Sequence, residues 1–290
     1  MIGIRVVLIP LFGSRTDSFS LKAGLAIAQR FGAHANALFV RIDPTDAIPV
    51  IGEGVSPAVI DQLTQAAAVE IDRQSTAARA AFETACKKAS ITITDSPGQG
   101  RTASAGWTEL TGRRADLVPK RARVSDLTVL TRPHEHAPPE LNAVLEATLF
   151  GAGRPLLVVP PGGAPEFGRT VAIAWNGGTE AARAVGWALP FLDETGAVHC
   201  LTAPTRRTRA DTALDLTEYL EWRAIACERH AVAAGEGEPV AAALLRTARE
   251  IGADLLVMGG YGRTRLSELV LGGVTRHVLA EAELPLLISH

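Results

Sequence analysis

The chain lacks most of the features that announce a function. Only three of its 290 residues are cysteine, Cys86, Cys200 and Cys227. They are widely spaced, with no Cys-x-x-Cys pair, which excludes a disulfide framework and a zinc ribbon; buried free thiols in a reducing compartment, the cytoplasm, are expected instead. An excess of one charge is also missing. The 29 basic and 31 acidic residues leave a net charge of −2 and are mixed throughout, which argues against nucleic-acid binding driven by bulk charge. No apolar run reaches the roughly 18 residues of a membrane span. The opening Met1-Ile-Gly-Ile-Arg-Val-Val-Leu-Ile-Pro is too short for a signal peptide and reads as a first strand. Signatures of catalysis are absent as well: no Gly-x-Ser-x-Gly, no His-Glu-x-x-His, no ordered Ser/His/Asp set, and no Gly-Lys-Ser/Thr after a glycine loop.

What is present is a repeat. Hydrophobic residues make up 47% of the chain, and the length suits two domains. Arg5-Val-Val-Leu-Ile-Pro resembles Arg169-Thr-Val-Ala-Ile-Ala, Asp126-Leu-Thr-Val-Leu resembles Asp254-Leu-Leu-Val-Met, and Arg154-Pro-Leu-Leu-Val-Val resembles Leu284-Pro-Leu-Leu-Ile-Ser. Short continuously apolar strands are buried on both faces, as in a parallel sheet between helices. Helical periodicity predicts helices over Phe19–Phe31, Ala58–Ser90, Arg113–Arg123 and Glu140–Phe150, then over Thr179–Leu192, Ala213–Arg223, Pro239–Ile251 and Val274–Ala282. The expected class is therefore α/β: two tandem five-stranded parallel-sheet domains, Rossmann-like, with helices on both faces. The first spans 1–160, a Pro/Gly-rich linker covers 161–168, and the second spans 169–290. Ile42–Pro57 and Ser96–Gly112, rich in Gly, Pro and Ser, read as loops.

The fourth strand of the second half stops at Gly259-Gly260; Gly262 and Gly272-Gly273 follow, and then a helix begins. Glycines at a strand exit can adopt positive φ and let N–H groups converge. A helix N-terminus beside them adds unpaired donors and partial positive charge, so the segment is a candidate anion socket, most plausibly for nucleotide phosphates. Plain turn glycines are the alternative.

Gly259-x2-Gly262-x9-Gly272, with the flanking Val257-Met258, Val274-Thr275 and Leu284-Pro-Leu-Leu, resembles the nucleotide signature of the universal stress protein family. The match covers the second half; the first half agrees in strand order only. The resemblance implies a tandem universal stress protein with an adenine nucleotide α-hydrolase-like sheet. It implies that ATP or a related adenine nucleotide, with magnesium, binds in the second half. Met258, Gly259, Gly262, Arg263, Gly272, Gly273, Val274 and Thr275 would meet phosphate and ribose, and Ala174, Trp175 and Asn176 would lie near the nucleoside. At most a weak ATPase activity follows, with no residue standing out as its base. The implied partners are the nucleotide, other proteins, and the chain itself. Family domains pair through their last strands, which Leu156–Val159 and Leu286–Ser289 could satisfy internally; a homodimer is the other form.

Two positions depart from the family pattern. Gly273 replaces a Ser or Thr, removing a hydroxyl worth about 0.5–1.5 kcal/mol to a phosphate. Asn176 replaces an Asp, keeping an acceptor but losing its charge. In the first half Thr131 and His134 stand where Gly259 and Gly262 would align, with Pro133 between them, so no phosphate cradle is expected there. A nucleotide-free interaction protein with a relic loop is the competing function. An adenylyl-transferring enzyme would need a Ser-Gly-Gly-x-Asp-Ser-type loop that the chain lacks. Arg263 and Arg265 could clamp phosphates or form a solvated rim. Arg206, Arg207 and Arg209 read as a solvated charge run, Asp254 as a turn cap, and Trp175 as either a base-stacking or a packed aromatic. His134-Glu-His136 lacks a third ligand and His199 reads as a core histidine, so no metal site is expected.

Overall fold

The computed structural model describes residues 3–44, 56–96, 102–135, 137–163, 166–203, 212–260 and 273–290. Two compact units emerge, one of Ile4–Ala152 and one built on Gly153–His290.

The first unit contains β1 (Val6–Leu11), α1 (Asp17–Phe31), β2 (His34–Arg41), α2 (Pro57–Ala89), β3 (Thr92–Ile93), β4 (Ser104–Thr111), α3 (Arg114–Ala122), β5 (Leu127–Thr131) and α4 (Leu141–Gly151). Its strands lie in the order β3-β4-β2-β1-β5 and all pairings are parallel. The second unit contains β6 (Leu156–Val159), β7 (Thr170–Ala174), α5 (Thr179–Leu192), β8 (Ala197–Thr202), α6 (Thr212–Glu221), β9 (Glu228–Ala231), α7 (Val240–Glu250), β10 (Leu255–Gly259), α8 (Gly273–Glu281) and β11 (Leu286–Ser289). Its order is β6-β11-β10-β7-β8-β9, parallel except for β6, which runs antiparallel to β11 with Leu157 opposite Leu287. All eight expected helices are present within a few residues of the predicted bounds.

The apolar strand repeats form the cores. Val7, Leu8 and Ile9 of β1 and Leu255, Leu256 and Val257 of β10 are fully buried, each such aliphatic side chain contributing roughly 1.5–3 kcal/mol through removal from water. The aspartates before β5 and β10 have a structural task. Asp126 accepts hydrogen bonds from the N–H groups of Arg5 and Val6, and Asp254 accepts from Gly168, Arg169 and Thr170. Asp126 ties the entry of β1 to β5, and Asp254 that of β7 to β10.

One loop reading fails. Within Ser96–Gly112, residues Ser104–Thr111 form β4, paired with β2 over its whole length. The strand is poor in aliphatic residues because its outer part is only half buried. What holds it is the ladder and one aromatic: Trp107 stacks on Phe39 at 6.3 Å and lies 5.7 Å from Phe82. Gly106 is required by close approach, since a Cβ there would stand 2.9 Å from His34 Nε2. The expected loop Ile42–Pro57 lies largely outside the described residues.

Candidate functional site

In the first unit β1 lies between β2 and β5, and in the second β7 lies between β8 and β10. Chain direction across the sheet reverses between β1 and β5 and between β7 and β10, and open α/β sheets bind ligands at the carboxyl ends flanking such a reversal. In the second unit the reversal falls between β7 and β10, whose ends are in register, Met258 opposite Ala174. The expected nucleoside residues Ala174, Trp175 and Asn176 are thus brought beside Met258 and Gly259. Gly273, Val274 and Thr275 open α8. Gly262, Arg263 and Gly272, with Arg265 and Arg206, Arg207 and Arg209, lie outside the described residues.

Much of this edge is already engaged. Gly259 does not use positive φ; its lack of a side chain admits the first turn of α5, because a Cβ would meet Ala181 N at 2.5 Å and the Glu180 backbone carbon at 2.7 Å. The Gly260 N–H donates to Ser289 O at 2.8 Å, extending the sheet by one bond, and His290 Nδ1 donates to Gly260 O at 3.0 Å. The convergence of glycine N–H groups expected from sequence is therefore not found at 259–260. Trp175 is half buried and its indole N–H donates to Thr212 O at 2.8 Å, fastening the start of α6. Asn176 is exposed, and its Oδ1 accepts from Gly178 N at 2.9 Å, turning the chain into α5. Gly177 takes φ +71°, a left-handed geometry that suits glycine, with Thr212 pressed close.

The open part is the start of α8. A side chain at Gly273 would meet nothing within 4 Å, and Val274 is exposed. Thr275, by contrast, is buried. Glu180 places an acid at this edge. Burial pushes its carboxyl up, but its own N–H, the Thr179 hydroxyl, and the charges of His290 and Arg183 outweigh that and hold it below the usual range. It is therefore ionised at neutral pH and opposes an incoming anion.

The first unit's reversal, between β1 and β5, is filled from within. Asp17 is buried in the first turn of α1. Its carboxylate accepts from the N–H groups of Phe12 (3.0 Å), Gly13 (2.8 Å) and Ser14 (3.3 Å) and from Ser14 Oγ (3.1 Å). Three successive amides converging on an anion form a nest, and here the anion is the protein's own. Burial pushes the Asp17 carboxyl up to about 6, while the three amides and Ser14 hold it down.

Arg114, 3% exposed, pairs with Glu140 and donates from Nε to Val40 O at 3.1 Å. Its guanidinium lies over the rings of Phe12 and Phe39 at 5.2 and 5.4 Å. Burial lowers its pKa, and Glu140 and Asp17 oppose that. Thr131, at the position of Gly259, donates from Oγ1 to Thr16 O at 3.0 Å. Sequence reasoning missed Asp17 and Arg114. The available signal for the first was an acid in a helix's opening turn after Phe12-Gly13-Ser14; nothing local signalled the second.

Against known proteins, residues 168–290 match the model of the universal stress protein family. A universal stress protein of Methanocaldococcus jannaschii is 36% identical over 45 residues, a match spanning 16% of this chain and 28% of that relative. In fold, the chain resembles a universal stress protein from Archaeoglobus fulgidus with TM-score 0.67 and 16% identity, covering 98% of this chain and 97% of that one. A functionally unknown protein from Pseudomonas aeruginosa PAO1 aligns with TM-score 0.53 and 15% identity over 99% of this chain and 92% of that one. The likeness to the universal stress protein family is thus one of sequence over residues 168–290 and of fold alone over the rest, where the first unit carries no glycine signature.

Proposed function

We propose that the chain is an adenine-nucleotide-responsive stress protein, binding ATP or a close relative, with magnesium, at the β7–β10 reversal of its second half. The observation that carries this reading is the exposed start of α8 at Gly273, next in sequence to the glycine signature, in a unit where no described residue places a buried carboxylate at the reversal as Asp17 does in the other. Phosphates would meet the glycine segment and the α8 N-terminus, whose first-turn amides and dipole favour negative charge. The nucleoside would lie near Ala174, Trp175 and Asn176, with Met258 as floor. Binding rather than turnover is the expected role, and the setting would be cytoplasmic.

A second reading has its own support. Gly260 N–H, the Trp175 indole and the Asn176 side chain all have partners within the protein, and Glu180 is ionised beside them. On this reading the loop is a relic and the chain works through protein contacts, either within itself or as a homodimer. Calorimetric titration with ATP and magnesium separates the two. Heat of binding that disappears in Gly262→Val supports the nucleotide reading; no heat up to millimolar ATP retires it. Mass spectrometry of small molecules released on denaturation gives an independent answer.

A further inference from the structure

We propose that His199, His230 and Glu228 form a binding site for one divalent transition-metal ion of the zinc class. Strands β8 and β9 run parallel with His199 opposite Glu228 and Leu201 opposite His230. Side chains alternate along a strand, so His199, Glu228 and His230 share one face of the sheet. His199 Nδ1 stands 2.9 Å from His230 Nε2, and the Glu228 carboxylate oxygens lie 3.5 Å from the first and 3.6 Å from the second. These separations fit a single ion. Bonds of about 2.0–2.1 Å in a tetrahedral arrangement set ligand atoms about 3.3–3.4 Å apart. Among the described residues no other group of three His, Cys, Asp or Glu side chains brings ligand atoms this close.

The chemistry of the donors selects the ion. Two imidazoles and a carboxylate suit zinc and its neighbours, whereas magnesium and calcium prefer oxygen alone. Cys200 and Thr202, which approach each other at 3.6 Å, alternate with His199 and so face away, which keeps sulfur out of the set. Burial lowers the His199 pKa and the neighbouring His230 lowers it further, against the pull of Glu228. Without metal, one hydrogen lies between the two facing nitrogens. When the ion binds, that hydrogen moves to the outer nitrogen of its own ring, and both inner lone pairs point at the metal. Glu228 is exposed and β9 ends the sheet order, so solvent reaches the ion and a water completes the fourth position. The site is thus built for exchangeable metal, unlike a closed structural zinc.

Equilibrium dialysis of the chelator-stripped full chain against zinc tests this. One equivalent is expected, with a raised melting temperature. His199→Gln and His230→Gln should each weaken binding by more than the roughly 10–100-fold lost on removing an outer-shell partner, while leaving the metal-free melting temperature and circular dichroism unchanged. Cobalt in place of zinc should give visible d–d bands without a thiolate charge-transfer band. No uptake at about 0.1 mM zinc overturns the proposal. Equal uptake by the His199→Gln/His230→Gln double variant, or a thiolate band, overturns it equally.

Discussion

The two halves share one strand order, yet the reversal in each has been put to opposite uses. In the first, Asp17 sits in a nest of three amides and Arg114 is buried against Phe12 and Phe39 beside Glu140. In the second, no described residue buries an anion at the edge in this way, Gly273 is exposed, and the acid nearby, Glu180, belongs to the adjoining helix start. A backbone that gathers N–H groups at a sheet edge must satisfy them. The chain does so once with its own carboxylate. In its other copy the amides at Gly260 and Gly178 find partners in the sheet and the turn, and Gly273 and Val274 at the start of α8 are exposed.

The largest test of this contrast is Arg114→Ala. Removing one partner of a buried pair costs about 3–5 kcal/mol. Glu140 is 33% exposed and recovers some hydration, so the low end, about 3 kcal/mol, is expected in the denaturant midpoint of the first unit. Second comes pH. Burial pushes the folded Asp17 carboxyl up to about 6 from its ordinary 3.8. Between those values the native state holds a proton that the unfolded chain has lost, so this group's contribution is fully present below about 4 and is lost as pH rises through 6. The change is of order 2–3 kcal/mol. Denaturation of wild type and Asp17→Asn across that window should show their difference shrinking with rising pH; a flat difference would remove the buried acid from the comparison.

Third, Gly259→Val drives a side chain into the α5 backbone and should cost about 1–3 kcal/mol through overpacking, read as a lowered melting temperature without any nucleotide present. An unchanged melting temperature would mean that glycine is kept there for a ligand and not for packing. The smallest effect is expected from Glu180→Gln. Deleting one partly screened charge at this edge should tighten metal-free ATP by a few-fold, corresponding to about 0.5–1 kcal/mol, measured by titration in chelator. Unaltered affinity would place the phosphates elsewhere.

The sequence was most legible where one pattern decided the outcome. Period-3.6 stretches found every helix among the described residues, and the apolar runs found β1, β5, β7 and β10. It was opaque where tertiary pairing decided. β4 is held by eight residues of ladder and by Trp107 among Phe39 and Phe82, contacts with no local trace. At the candidate site the sequence gets the placement of Ala174, Trp175, Met258 and Gly259 but misreads why 259 is glycine. Conformational freedom is the usual reason; here α5 comes too close for a Cβ. His199 reads as core when taken alone. Only the register of β8 on β9 reveals that it faces Glu228-x-His230, two residues that alternation had already put on one side of a strand.

The antiparallel strand β6 has a bearing on self-association. β11 is flanked by β10 on one side and β6 on the other, so its amides and carbonyls offer no vacant row for a foreign chain to zip onto. Because β6 is covalently tethered to the same polypeptide, this protection does not weaken on dilution, as a docked neighbour would. Any dimer built through the terminal strand would first have to peel Leu156, Leu157 and Val158 away, exposing three side chains that are now shielded from water.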